Sequence, residues 1–571
     1  MSETTQQIEE LASPFSHVLQ TNYIPTDSEC ATIRQFLEAP KARLNEILAE
    51  MRRLQALFKT LAAKKDRLKK FVDVHSALVS PMRRMPPELL QNIFLQTLPQ
   101  SRNCAITDKE GPLLLSSVCK SWRALVLATP RLWTSVHIVV PPSSHIDAFS
   151  AWLKRVWLPR SGIQPLSFSV AHSTSLLTPD SVSLRLVYDL LVNDAHRWRH
   201  VELALHSISD IEYVSTALSG TSLPNLQSLK LSPPLRQLFM PQPPTGDMLA
   251  FLDNAPNIQR LWLPDLQLLY TTRSLSSTVL STVVDLKIEA TRLSRGLDYV
   301  HLWETLRHCT VLERCQIVSN PQEDAAVDPP EPFSLPSLHT LAITHGRAPT
   351  TTMNFFAFLD LPNLRTLTCE THGPWLTIGV AELVDLLPSP SSLLRVETLT
   401  LGINLMETQK LLTALVLFPA LTKLILKHEP KGTITDTGLF GTNLILGSEA
   451  PSGDGTFLNK LGEGLLGDET TDPPRGRLLP SLQHISLGDL EATSDEALVA
   501  FVRASAARQM RKIECSFARP RQRDVTPDLK NIIRDLVPPM QVQLRYSKRG
   551  VMSGYSPFTG LRDANTHRTG G

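Results

Sequence analysis

Residues 362–369 read Pro-Asn-Leu-Arg-Thr-Leu-Thr-Cys, and the spacing within them decides the fold. Leu364, Leu367 and Cys369 stand at apolar-x-x-apolar-x-apolar. Side chains alternate along a strand, so the last two share one face and the residue between them, Thr368, faces the other way. A proline two positions before Leu364 cannot carry an incoming helix further. The pattern recurs at Trp198/Val201/Leu203, Leu226/Leu229/Leu231, Ile258/Leu261/Leu263, Val283/Leu286/Ile288, Leu312/Cys315/Ile317 and Leu338/Leu341/Ile343. It continues at Val396/Leu399/Leu401, Leu421/Leu424/Leu426, Leu482/Ile485/Leu487 and Met510/Ile513/Cys515. Successive copies lie 28, 32, 25, 29, 26, 26, 32, 25, 61 and 28 residues apart, and Pro224, Pro256, Pro336, Pro362, Pro419 and Pro480 each precede one.

Helical patterns fill several intervals, most clearly 247–254, 352–359, 407–418 and 495–510. A helix, a proline stop and a short strand cannot bury an apolar face alone, but stacked neighbours can. The array resembles leucine-rich repeats. Their Asn after the strand fits only at Asn320 and Asn404, so the resemblance implies an irregular curved α/β solenoid and not a regular horseshoe. A β-sandwich is the competing fold, and the helices between strands argue against it. The 61-residue gap is expected to hold one degraded repeat around Leu444 and Leu446, followed by a flexible insertion at 447–477. The residues between the last two apolar positions, from Glu202 through Lys230, Trp262, Lys287 and Gln316 to Glu514, should line the concave face. Lys230, Trp262, Lys287 and Gln316 are the candidate substrate contacts, suited to an acidic, aromatic partner; the plainer reading is a solvated strand surface.

Outward from the repeats, residues 80–133 carry two short helical patterns. The first bears Leu89, Leu90, Ile93, Phe94 and Leu98; the second bears Leu114, Leu115, Val118, Cys119, Trp122, Leu125 and Val126. About 50 residues hardly close a core of their own, so the two apolar faces pack either on the rest of the chain or on a separate protein. Pro86-Pro87-Glu88-Leu89-Leu90, Ile93-Phe94, Val118-Cys119-Lys120-Ser121-Trp122-Arg123 and Leu132-Trp133 together resemble an F-box. Met85 replaces that family's usual Leu, and the loop from Pro99 to Pro112 is long for it. The resemblance covers about a tenth of the chain. It implies docking on a Skp-type adaptor through Pro86, Pro87, Leu89, Leu90, Ile93, Phe94, Leu114, Val118, Cys119 and Trp122, the last holding the two helices together more than it touches the adaptor.

Ahead of this module, residues 28–78 read as helix, interrupted at Pro40. From Leu44 the seam runs Ile47, Met51, Leu54, Phe58, Leu61, Lys65, Leu68, Val72 and His75, in alternating steps of three and four. Residues 41–70 hold ten Lys/Arg against three Asp/Glu. The seam predicts either a homodimer through residues 41–78 or pairing with a partner helix; the alternative is a helix folded back on the rest of the chain. Lys64-Lys65 and Lys69-Lys70 also admit a nuclear-import reading.

Charge is balanced, 57 basic against 55 acidic residues, so no global field draws the chain to nucleic acid or membrane. The polar N-terminus and the lack of an 18-residue apolar run predict a cytoplasmic and/or nuclear protein. The seven cysteines are dispersed without a CxxC pair, which argues for buried thiols and against zinc or disulfides. Gly462 to Gly467 spells GxGxxG, but no strand precedes it. Cys309 and Cys315 beside His308 read as core, and the terminal Thr569-Gly570-Gly571 as coincidence. No catalytic constellation, metal site or cofactor motif emerges.

The expected fold class is α+β with repeats. It comprises a disordered segment 1–27, a long helix 28–79, a small all-α F-box 80–138 and a transitional segment 139–195. A leucine-rich-repeat-like solenoid 196–520 and a cap with a disordered tail 521–571 complete it. The F-box resemblance implies a non-catalytic substrate-recognition subunit of an SCF-type cullin–RING ubiquitin ligase, its repeats holding a protein substrate. Two other readings stay open: a ligase-independent scaffold for protein assembly, and an enzyme with an unrecognised site.

Overall fold

The structure, a computed structural model, describes residues 13–79, 81–172, 181–205, 208–232, 249–264, 275–289, 299–319, 331–345, 358–371, 389–402, 408–427, 461, 479–490, 494–507, 510–517, 524–534, 536 and 539–546. The chain divides into two compact units, Met1–Leu90 and Gln91–Gly571.

In the first unit, helix α1 (Asp27–Leu78) opens on a capping box. The Thr26 hydroxyl accepts from the Glu29 amide, and the Glu29 carboxylate accepts from the Thr26 amide at 2.7 Å. Two amides of the first turn are thereby satisfied. The expected interruption at Pro40 does not occur: the helix runs through it for 52 residues. Proline removes a single internal hydrogen bond, and the glycine-free flanks are long enough to hold the helix on both sides. The seam residues on α1 lie exposed. Disorder was expected over 1–27, yet from Ser13 onward turns form and the Phe15 ring meets Phe36 edge-on at 6.1 Å. Residues 1–12 lie outside the described residues. Helix α2 (Pro81–Arg84) follows, and helix α3 (Pro87–Gln96) spans the boundary between the units.

The second unit begins with two helices where one was expected, α4 (Gly111–Val118) and α5 (Lys120–Leu127). The break is Cys119, whose backbone is extended at φ −158°, ψ 169°. Its Sγ accepts from the Trp122 amide at 3.4 Å, so the residue that ends one helix caps the next. The Leu132-Trp133 pair is fully buried in a short 3-10 turn, where the Trp133 indole donates to the Val126 carbonyl at 3.0 Å.

The sheet starts directly after this turn, well before residue 196. Its first strands are β1 (Ser135–Val140), β2 (Leu166–His172), β3 (Trp198–Ala204), β4 (Ser228–Ser232), β5 (Arg260–Pro264), β6 (Asp285–Glu289) and β7 (Arg314–Ser319). After them come β8 (Phe333–Ser334), β9 (Thr340–His345), β10 (Leu359–Asp360), β11 (Thr366–Thr371), β12 (Thr398–Gly402) and β13 (Lys423–Lys427). The last three are β14 (His484–Leu490), β15 (Lys512–Phe517) and β16 (Gln541–Tyr546). Short β8 and β10 pair with each other; the other fourteen strands form one sheet in strict chain order. The pairing between its successive strands is parallel.

All eleven apolar triplets lead into these strands. Sequence reading missed β1 and β16, and it left β2 inside the transitional segment 139–195. Strand β13 pairs directly with β14, so the repeat expected around Leu444 and Leu446 adds no strand between them; those two residues lie outside the described residues. The same holds for the 447–477 insertion, Gly462 to Gly467, Asn320, Asn404, nearly all of the helix expected at 352–359 and the tail beyond 546. The helix expected at 247–254 is a 3-10 turn at Ala250–Asn254 among the described residues; those at 407–418 and 495–510 form as Thr408–Leu415 and Asp495–Ala507. Within the expected cap, helix Thr526–Ile533 leads into β16.

Register follows the apolar residues. Leu229, Leu261, Leu286, Cys315, Leu341, Leu367, Leu399, Leu424, Ile485 and Ile513 stand opposite one another across ten strands, and all are buried. Burying each large aliphatic side chain is worth about 1.5–3 kcal/mol. The signal for a second, polar ladder was present in the sequence but sought on the wrong side of the strand. Asparagines follow three of the prolines, and each side-chain amide donates back to the preceding repeat: Asn225 to His196 O at 2.9 Å, Asn257 to Pro224 O at 2.8 Å and Asn363 to Pro336 O at 2.8 Å. Replacing Asn257 by Ala removes one such tie and should lower unfolding stability by about 0.5–1.5 kcal/mol, measurable by urea denaturation; an unchanged midpoint would deny the ladder a structural part.

Candidate functional site

On α3, Leu89 and Ile93 are four residues apart and both exposed, at 53% and 40%. Leu90 and Phe94 are also four apart, and both are buried. A step of one residue turns a helix by about 100°, so these are two different sides of one helix. Adaptor contact was expected from all four. The structure corrects this for Leu90 and Phe94, whose side chains already belong to the core. Pro86 and Pro87 are exposed at the entry to the helix, where a missing amide costs nothing. On α4 the same division recurs: Leu114 and Val118 are exposed, at 39% and 55%, while Leu115 is buried. Cys119 is exposed. Trp122 is half-buried, its ring 4.7 Å from that of Phe94, so within the second unit it joins α5 to α3 as expected.

The long loop between α3 and α4 is built and not slack. Arg102 grips Glu110 through two bonds of 2.7 Å, and Glu110 also accepts from the Ala105 amide at 2.7 Å. The His137 amide of β1 donates to Cys104 O at 2.7 Å, and Ser135 Oγ donates to Asn103 Oδ1 at 2.9 Å. The loop that leads into α4 and the sheet are thereby joined within the second unit. Burial, then the Glu110 charge, pushes the Cys104 thiol up to about 12. Gly111 starts α4 at φ +62°, and a Cβ there would stand 2.1 Å from Cys104 Sγ. Neither the ion pair nor the glycine was singled out from sequence; the pairing closes only when the loop folds over β1.

The candidate substrate row is also aligned. Glu202, Lys230, Trp262, Lys287 and Gln316 stand opposite one another on β3 to β7, each half-buried. Lys230 Nζ lies 5.1 Å and Lys287 Nζ 5.8 Å from the Trp262 ring centroid. Lys230 is also paired with Glu202, and Lys287 with Glu289 at 3.0 Å. An aromatic plate between two cations gains about 0.5–1 kcal/mol per contact. Two residues earlier on β3, His200 is held neutral: burial lowers it to about 4, and the neighbouring Arg260 and Arg199 charges add to this. Burial and the Lys423 and Lys512 charges likewise lower His484 on β14.

Cys309, Cys369 and Cys515 are pushed up to about 12 by burial and Cys315 higher still, so none is a thiolate near neutrality. Among the described residues, no group of three His, Cys, Asp or Glu is arranged to hold a metal ion. No described helix is long and apolar enough to cross a membrane. No protein-family model matches the chain, and no curated protein matches it.

Two outcomes follow. Gly111→Ala forces a left-handed φ onto a residue that resists it and drives a methyl into Cys104; a loss of about 2 kcal/mol or more is expected, read as a lowered Tm. His200 binds a proton at about 4 when folded but near 6.5 when unfolded. Between those values the unfolded state holds more protons, so stability falls as pH drops from 7 toward 4. His200→Gln should flatten that part of the Tm-versus-pH curve; a superimposable curve would show that other groups set the slope.

Proposed function

We propose that this chain is the substrate-recognition subunit of an SCF-type cullin–RING ubiquitin ligase. Residues 80–138 serve as the F-box that docks on a Skp-type adaptor, and residues 196–520 form a leucine-rich-repeat-like solenoid that holds the protein substrate. One observation carries the reading. The F-box-like helices keep Leu89, Ile93, Leu114 and Val118 in solvent while their neighbours Leu90, Phe94 and Leu115 are buried. A small helical module that is satisfied inside and still greasy outside suits a protein partner.

The repeat reading draws support from fourteen parallel strands in chain order, eleven of which carry an apolar triplet. On the opposite side of those strands, Lys230, Trp262, Lys287 and Gln316 form the substrate row, open to an acidic, aromatic segment. The chain would make and break no bonds. It would hold substrate lysines close to the ubiquitin-charged enzyme, and the rate gain would be one of effective concentration.

Truncating one interface anchor costs about 2 kcal/mol, roughly thirtyfold in affinity. Because Leu90 is core, the clean test uses exposed residues only. Ile93→Ala with Val118→Ala should weaken binding to a purified Skp-type adaptor by about a thousandfold while leaving Tm unchanged. Equal adaptor capture by the variant and the parent chain refutes docking through this face. Capture of the adaptor without any cullin would instead support the ligase-independent scaffold.

A further inference from the structure

We propose that α1 is a self-association element, in which the segment Leu44–His75 pairs with the same segment of a second copy of this chain running antiparallel. This goes beyond adaptor docking and does not depend on it. The first observation is exposure. Eight apolar seam positions from Leu44 to Val72 are each at least 49% exposed, and Phe58 reaches 74%. The seam spans about five heptads, and three to four suffice for a coiled-coil pattern.

The second observation is where the lysines stand, and it selects both the occupant and its direction. In a parallel, in-register pair each seam residue meets itself. Lys65 would then face Lys65 inside the seam, and the flanking Lys64 would face Lys69. Those like charges oppose that arrangement. Reversing one helix about the midpoint of the seam pairs residue numbers that sum to 119. Phe58 then meets Leu61, Leu54 meets Lys65, and Leu44 meets His75, while the remaining layers are wholly apolar. In the flanks Lys64 meets Leu57 and Lys69 meets Leu48. Lys64, Lys65 and Lys69 each find an apolar residue of the first half, over which the lysine stem can lie while its ammonium reaches water. Lys65 has already turned its Nζ toward Asp66 of its own helix, at 3.6 Å. Such self-complementarity is what a two-fold interface requires: residue i meets j, and j meets i. A foreign helix has no reason to match it.

The net positive charge of the segment lies mostly outside the seam. It repels a second copy and is screened by salt, so self-association should tighten as salt rises, whereas pairing with an acidic helix would weaken. Light scattering on the purified full-length chain at micromolar concentration should report a dimer, and Phe58→Glu should convert it to monomer. Orientation is read by disulfide trapping against the parent chain as background. Leu44→Cys with His75→Cys should cross-link two copies. Leu44→Cys alone should not, because antiparallel pairing holds the two thiols about 46 Å apart along the helix. A monomeric parent chain, or cross-linking by Leu44→Cys alone, overturns the proposal.

Discussion

A single row of side chains governs the sheet. Leu229, Leu261, Leu286 and their counterparts out to Ile513 must all fall on the same side of ten successive parallel strands of the sheet. Slipping any strand by one residue would turn its apolar set to the opposite face and bury its charges. Lys230, Lys287 and Glu514 stand one position from that fate. Register is therefore enforced mainly by burial, and the polar ties only reinforce it. The asparagine amides after Pro224, Pro256 and Pro362 each reach a backbone carbonyl of the previous repeat from the strand entrance.

The same constraint leaves the other side of the strands free to vary, and this is where any recognition chemistry would gather. Trp262 sits between two lysines that are each already balanced by a glutamate. The row is thus ordered before any partner arrives. Burial and the neighbouring arginines and lysines lower both His200 and His484 and so favour their neutral forms.

The helical module follows an opposite logic. Its inward side chains are few but fully used: Phe94 meets Trp122 at a tilt, and Trp133 bonds to Val126 and meets Trp157 edge-on. Its long loop is clamped by Arg102 and Glu110 and joined to β1. Within the second unit the exposed Leu114 and Val118 follow directly on that clamped loop, so a partner binding there would have little backbone to order. Helix α1 repeats the theme on a larger scale, with a seam of side chains that has its own internal order.

Sequence alone determined the strand-forming triplets, the helical character of residues 28–78 and the amphipathic pattern around residues 89–126, because each is a local periodicity written in neighbouring side chains. It also placed Lys230, Trp262, Lys287 and Gln316 in one row, since strand alternation and a constant triplet suffice for that. Tertiary structure decided the rest. It drew β1 and β16 into the sheet, because a strand without the repeat's spacing is recognised only by the neighbour it pairs with. It split one expected helix at Cys119 and carried another through Pro40, where the competing costs depend on caps and flanking turns. It divided Leu89 and Ile93 from Leu90 and Phe94, which composition treats alike. Which apolar residues remain in water is a property of what packs around them, and no local pattern contains it.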